Sequence, residues 1–338
     1  MKAPAKLCET RPCGKVGLAL GSGSARGWSH IGAIRALTEA GIHADCVAGT
    51  SIGALIGAVY AAGEIDMLET WALQLEWKQI LSFMDLVLPK SGLIDGVKIA
   101  DLVRRHVHKE KIEDLSVPFG AVATDMRTGR EVVLRQGDVI EAVRASISLP
   151  GIFTPVERDR DFLIDGGLVN PLPVSVARSM GADFVIAVDL NSDRMTPRRP
   201  RPPAPTCDSS ISSRIRRGLN ARAVHPLTLA LKERIASLEL PERMQIRRWL
   251  AQDPAPNIFE VLLTSIRIMQ AQITRANLKT DPPDLLIQPQ LGHVSLMEFH
   301  RAEEAVAEGY RATKAALAEW PGAIGPRRAI PQGIKEQR

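Results

Sequence analysis

The chain has 338 residues, a length that suits one large α/β domain or two smaller ones. Hydrophobic residues make up 45% and aromatics 4%, so a sizeable and mostly aliphatic core is expected and a disordered or fibrous chain is excluded. The formal charge of +5 is mild, and no nucleic-acid partner is expected.

In chain order, Val16–Leu20 is a short apolar run ending at glycine, which reads as a buried strand. A glycine- and serine-rich loop, Gly21 to Gly27, follows. A helix is expected from about Trp28 to Ala40, with Ile31, Ile34 and Leu37 on one face and Gly41 as its stop. Asp45 to Ala48 reads as a second strand, Gly49 to Gly53 as a tight turn, and Ala54 to Ala62 as a buried helix of small residues. This alternation implies a parallel sheet covered by helices. Further strands are expected at Phe119–Thr124, Glu131–Leu134, Phe162–Ile164 and Asp183–Val188, with a helix around Asp138–Ser146.

From about Asp193 to Leu219 proline, arginine and serine dominate, and a disordered insertion is expected. Between Arg194 and Arg217 there are seven arginines against one acid, Asp208, a balance that favours polyanions or an anionic membrane surface. Helices near Leu227–Leu250 and Phe259–Leu278, a strand at Asp284–Ile287 and a helix over Met297–Glu319 follow. The layout is therefore a flexible tail over 1–14, a core over 15–192, the insertion over 193–219, a segment over 220–320 that completes the domain, and a flexible tail over 321–338.

The four cysteines are Cys8, Cys13, Cys46 and Cys207. No pair has strong metal spacing, and so few in so long a chain suit a reducing compartment. The N-terminus lacks the apolar run of a signal peptide. The most apolar long segment, Ile52–Ala62, has 11 residues, where a bilayer span takes roughly 20. A cytoplasmic protein is expected, meeting membrane, if at all, from the surface.

Gly49-x-Ser51-x-Gly53 sits between an apolar strand and a helix, the setting a nucleophile elbow requires. There the serine hydroxyl projects from the C-terminal edge of the sheet, and the following helix aims its positive end at developing negative charge. The loop Gly21–Gly27 offers backbone N–H groups that can hold an anion. It can be read as a dinucleotide phosphate loop, with Asp45 toward a ribose, or as an oxyanion hole. Gly21 and Gly23 fit the dinucleotide fingerprint, but Arg26 stands where its last glycine belongs. Asp165-Gly166-Gly167 ends a strand, and a buried carboxylate there can serve a hydroxyl as general base, although the tripeptide alone is a common turn. His293 and His300 come late enough to complete a Ser–Asp–His order but sit in no distinctive loop; His106-x-His108 lies on a polar stretch with poor spacing for a metal.

Taken together and in order, these motifs resemble the patatin-like phospholipases, more closely the bacterial RssA-type subgroup. The residues that carry the likeness are the runs Gly17–Gly32, Ala48–Gly53, Ala123–Glu131, Arg144–Gly151, Asp165–Pro173 and Gly181–Asp189, with a weaker return at Asp281–Pro289. The resemblance implies a three-layer α/β/α fold with a mainly parallel sheet and a Ser–Asp dyad without histidine. Ser51 matches the family's nucleophile and Asp165 its base; Gly23, Ser24 and Arg26 occupy its oxyanion loop. Ser22 and Ser24 depart from its common glycine-rich pattern, though a serine amide still donates a hydrogen bond. The substrate implied is a fatty-acyl ester of a phospholipid, lysophospholipid or acylglycerol, with no metal or cofactor called for. The alternative is a regulatory or binding protein of this fold with little turnover.

Overall fold

A computed structural model describes residues 14–75, 97–158, 161–192 and 258–320. The expected N-terminal tail, the arginine-rich insertion, the helix over 227–250 and the C-terminal tail lie outside those residues, save Gly14 at the end of the first.

The centre is an eight-stranded sheet. Its strands are β1 (Val16–Leu20), β2 (Cys46–Thr50), β3 (Phe119–Asp125), β4 (Glu131–Leu134), β5 (Val156–Arg158), β6 (Asp161–Asp165), β7 (Phe184–Val188) and β8 (Leu285–Ile287). They lie in the order β5-β6-β3-β2-β1-β7-β8, with β4 also paired to β3. From β3 across to β8 every pairing is parallel, while β4, β5 and β6 join antiparallel.

The helices are α1 (Ser29–Glu39), α2 (Ile52–Ala62), α3 (Ile65–Leu73), α4 (Val97–His106), α5 (Val139–Ser146), α6 (Val174–Ser179), α7 (Ile258–Thr280) and α8 (Ala302–Glu319). Strand alternation sorts side chains onto two faces. Leu18, Leu20, Val47 and Ile186 join the larger core with α1, α2 and α8. Ala19, Ala48, Val122, Val185 and Ala187 face the other way, onto the α6 residues Val174, Val176 and Ala177. The result is a three-layer α/β/α domain with a mostly parallel sheet. Strands β1, β2 and β7 are buried on both faces, which is why they read as unbroken apolar runs.

Local signals set the boundaries. Asp138 caps α5 by accepting from the Ile140 and Glu141 amides. Gly63, at φ 86°, ends α2 in the left-handed conformation that favours glycine. Helices α3, α4 and α6 and the three-residue β5 were not anticipated from the sequence.

One feature of register places the site. β2 pairs with β3 from Val47↔Phe119 to Thr50↔Val122, and there β2 turns away into α2. β6 pairs with β3 at Ala123↔Asp165, Thr124↔Ile164 and Asp125↔Leu163. β4 holds the opposite edge of β3 over the same residues, so β6 must continue the edge that β2 leaves. Asp165 therefore stands one register position beyond Thr50, beside Ser51.

Candidate active site

Ser51 is the residue between β2 and α2, with φ 57° and ψ −124°. Among the described residues only Ser24 and Ser51 combine a side chain with positive φ. A β-carbon there costs on the order of 1–3 kcal/mol and persists only where the surroundings enforce it. Two close approaches do so. A Cβ on Gly49 would stand 2.4 Å from the Gly53 carbonyl oxygen, and one on Gly53 would stand 2.2 Å from that of Leu20. The elbow also leans on Ser146, at the end of α5: the Ser51 amide donates to Ser146 Oγ at 2.9 Å, and that hydroxyl donates to the Val122 carbonyl at 2.5 Å.

The Ser51 hydroxyl donates to Asp165 Oδ2 at 2.6 Å. The carboxylate's other oxygen accepts the Gly167 amide at 2.7 Å. Thr124 Oγ1 donates to the Asp165 carbonyl at 2.8 Å, and the Asp165 amide donates to the Ser148 carbonyl at 2.9 Å, so the strand end is held at both its backbone groups. A Cβ on Gly166 would stand 2.2 Å from the Val122 carbonyl oxygen, so the turn needs a residue without one. Asp165 is 1% exposed. Burial pushes its carboxyl up to about 6, against the opposing pull of the hydrogen bonds from Ser51 and Gly167.

The loop Gly21–Gly27 lies beside this pair. The Gly21 amide donates to Val188, Ser22 to Pro171, Ala25 to Leu296 and Arg26 to Gly23. The Gly23 and Ser24 amides donate to no acceptor among the described residues, and both residues line the cavity that holds Ser51. Gly27 backs against the elbow, where a Cβ would stand 2.2 Å from Ile52 Cγ1.

The structure moves Arg26 away from the oxyanion role expected of it. The side chain is 2% exposed and runs away from the cavity; Nε donates to the Val294 carbonyl at 2.9 Å and NH1 to that of Leu190 at 3.3 Å. Its amide is already given to Gly23. Asp45 likewise stands far from the loop, at the N-terminal end of the strands, where its carboxylate accepts the Val16 amide at 2.7 Å. That removes the ribose contact a dinucleotide loop would need.

Among the described residues no histidine meets Ser51. His293 is exposed and pairs with Glu304, and His300 is exposed as well. His106, read from the sequence as part of a polar stretch, is buried: its Nδ1 donates to Leu102 O at 2.9 Å, and its ring meets Trp71 edge-on. The histidine that matters to the site is His30, which sequence reasoning missed. It shares the buried stripe of α1 with Ile34 and Leu37, a periodicity that could have flagged it. Full burial lowers its imidazole to about 4, so the ring is neutral. Its Nε2 donates to the Gly21 carbonyl at 2.8 Å, fixing the start of the loop.

The cavity around Ser51 has a volume of about 140 Å³. Ser51, Asp165 and the loop form one polar end. The body is apolar, walled by Leu55, Leu102 and Ile152 and by the aromatic group Trp28, Trp71 and Phe299. Arg144 fixes the segment that supplies Ile152 and Phe153, donating to Ser148 Oγ and to Thr154 and lying over the Phe153 ring. Among the described residues no three His, Cys, Asp or Glu side chains gather as metal ligands, and no helix is long and apolar enough to cross a membrane.

This fold, with a serine elbow and a carboxylate supplied by the neighbouring strand, defines a class, and sequence comparison names the family. The patatin-like phospholipase pattern matches residues 18–178. An uncharacterized NTE family protein of Mycobacterium tuberculosis is 36% identical over 335 residues, covering 91% of this chain and 93% of that protein. The chain carries a patatin-like phospholipase domain and belongs to the NTE family. Human patatin-like phospholipase domain-containing protein 6 is 39% identical over 188 residues, which are 54% of this chain but 14% of that much longer one. Among solved structures, VipD from Legionella pneumophila aligns with a TM-score of 0.41 at 14% identity, over 91% of this chain and 67% of that one, a likeness too distant to bear on the fold.

Proposed function

We propose that this chain is a serine lipid acyl hydrolase that cleaves fatty-acyl esters through a Ser51–Asp165 dyad. The observation that carries the reading is the 2.6 Å contact between Ser51 Oγ and a buried carboxylate at the polar end of an apolar cavity. A hydroxyl is a weak nucleophile until a base takes its proton, and geometry within hydrogen-bond reach is the first requirement of such a base. Asp165 meets it. The carboxyl's rise to about 6 makes Asp165 a stronger base than an ordinary carboxylate while leaving it ionised at neutral pH.

Ser51 Oγ attacks the ester carbonyl as its proton passes to Asp165. The tetrahedral oxyanion is received by the amides of Gly23 and Ser24, fixed donors that need no reorganisation. Collapse returns the proton to the departing alcohol and leaves an acyl-enzyme, which water then hydrolyses. Arg26 and His30 serve by holding the loop, the first through Val294 and Leu190, the second through Gly21. The apolar body of the cavity suits an acyl chain, which supports a substrate among phospholipids, lysophospholipids and acylglycerols. The arginine-rich stretch from Arg194 to Arg217 adds peripheral contact with anionic lipid. Vesicle co-sedimentation of the intact chain against one lacking residues 194–217 measures that contribution.

The decisive experiment is labelling with a fluorophosphonate followed by peptide mapping. The label is expected on Ser51, together with turnover of a p-nitrophenyl ester that Ser51→Ala removes. An unlabelled, folded protein would identify the chain as a binding protein of this fold.

A further inference from the structure

The dyad accounts for the attack on the ester but leaves open what orients the water that releases the acyl group. In a triad, histidine holds that water. Among the described residues that line the cavity, an amide side chain, Gln270 on α7, also borders Asp165. The buried stripe of α7 runs Leu263, Ile266, Gln270, Thr274, so a primary amide sits where helical spacing places core residues.

Gln270 is 7% exposed and lines the cavity with Ser51 and Asp165. Its Oε1 accepts from Ser22 Oγ at 3.2 Å, and that hydroxyl in turn accepts from Asn191 Nδ2 at 3.0 Å. The chain of donors fixes which end of the amide is which: Oε1 faces Ser22, and Nε2 faces the other way. Nε2 lies 2.3 Å from the point a Gly167 Cβ would occupy, and Asp165 Oδ1 lies 2.8 Å from the same point. The two atoms make no direct hydrogen bond, and Nε2 donates to no acceptor among the described residues. Both atoms border the same point, and one water can bridge polar groups that share a space in this way. A side chain at Gly167 would intrude on both of them.

We infer that Gln270 holds the deacylating water, a role that rests on the hydrolase reading above. Once Ser51 Oγ is acylated, it no longer donates to Asp165 Oδ2, and that oxygen is free to accept. The water oxygen takes a hydrogen bond from Gln270 Nε2, passes one proton to Asp165 and forms the new C–O bond to the acyl carbon. The tetrahedral intermediate then breaks its bond to Ser51 Oγ. Asp165 returns its proton to that oxygen, and the fatty acid leaves. Ser22, a departure from the glycine-rich loop pattern, thus gains a role: its hydroxyl orients the amide that orients the water.

The test separates acylation from deacylation by stopped-flow kinetics with p-nitrophenyl butyrate. Gln270→Met keeps the volume and the helix while removing the donor. The burst of p-nitrophenol is expected to keep its rate within about twofold, while steady-state turnover falls about tenfold or more, as misplacement of a reactant does. Intact-mass spectrometry should then find the acyl-enzyme accumulating. Ser22→Ala, which frees the amide to turn without altering α7, should show the same split to a smaller degree. Steady-state turnover within twofold of the native enzyme in both variants would overturn the inference. So would equal loss of burst rate and turnover, which marks a merely structural side chain. A native protein that neither bursts nor turns over would instead remove the hydrolase reading itself.

Discussion

Two parts of this molecule dispense with the β-carbon for opposite ends. At the elbow, Gly49 and Gly53 let β2 turn so tightly into α2 that Ser51 is held at φ 57°, beside a buried carboxylate. Where α1 crosses α8, a Cβ on Gly32 would stand 1.9 Å from the Val306 carbonyl oxygen, and one on Gly309 would stand 1.9 Å from that of Ser29. The contact is reciprocal: each helix offers a glycine to the other's backbone. It stores no unusual φ and buries no charge. One close approach holds Ser51 in an unfavourable backbone state; the other simply brings two helices together. Stability and reactivity are therefore built by the same device in different places, and substitutions should separate them.

The largest effect is expected at the dyad. Asp165→Asn should lower ester turnover by roughly 10²–10⁴-fold, the usual worth of a positioned general base. The same change should raise stability. A carboxyl whose folded value is about 6 binds a proton in the native state that the unfolded state has lost above the ordinary value of 3.8. Stability is thus fully present below about 3.8 and is lost as pH rises through about 6. At pH 7 the ionised carboxylate costs up to about 3 kcal/mol, which asparagine does not carry. Chemical denaturation at pH 7 and pH 4.5 checks this: the advantage of Asp165→Asn should shrink at the lower pH.

At the helix crossing the sign reverses. Gly32→Ala or Gly309→Ala should cost about 3 kcal/mol or more, because backbone rather than a movable side chain stands in the way. Turnover per folded molecule should stay near that of the native protein. A loss of turnover without a loss of stability would mean that the two regions are coupled.

The pH profile tests the elbow alone. Because the base must be ionised, kcat/KM should fall tenfold per unit as pH drops below about 6. An acid limb centred near 4 would place the base elsewhere. The smallest expected effect isolates backbone strain. Ser51→Gly and Ser51→Ala both lose the hydroxyl, yet the glycine variant should be more stable by about 1 kcal/mol, since only it accepts φ 57° freely. Thermal melts of the two resolve it.

Ser51 and Asp165 could be found in the sequence because each sits in a glycine-flanked turn whose spacing is local. The register that brings them together could not, since it depends on β6 taking over an edge of β3 that β2 abandons. The runs around β1, β2, β3 and β7 were legible because strands buried on both faces are continuously apolar. Strand β5, with three residues, carries no period to read. Gln270 meets Ser22 across 248 residues and Ser146 meets Ser51 across 95, and nothing in either neighbourhood announces the partner. Arg26 shows the opposite failure. Its place in the loop was plain, but burial turned its guanidinium toward the Val294 and Leu190 carbonyls and away from the cavity.

The loop that faces Ser51 is encoded near the start of the chain and held largely by its end. Ser24 Oγ and the Ala25 amide both donate to Leu296, Arg26 Nε to Val294, and Trp28 Nε1 to Phe299. During synthesis, β1, α1, β2 and the elbow leave the ribosome long before those three acceptors exist. On the proposed mechanism, a nascent chain carries Ser51 early but lacks the supports of the loop beside it until Val294 to Phe299 have been made. A chain ending before Val294 should therefore take no fluorophosphonate label.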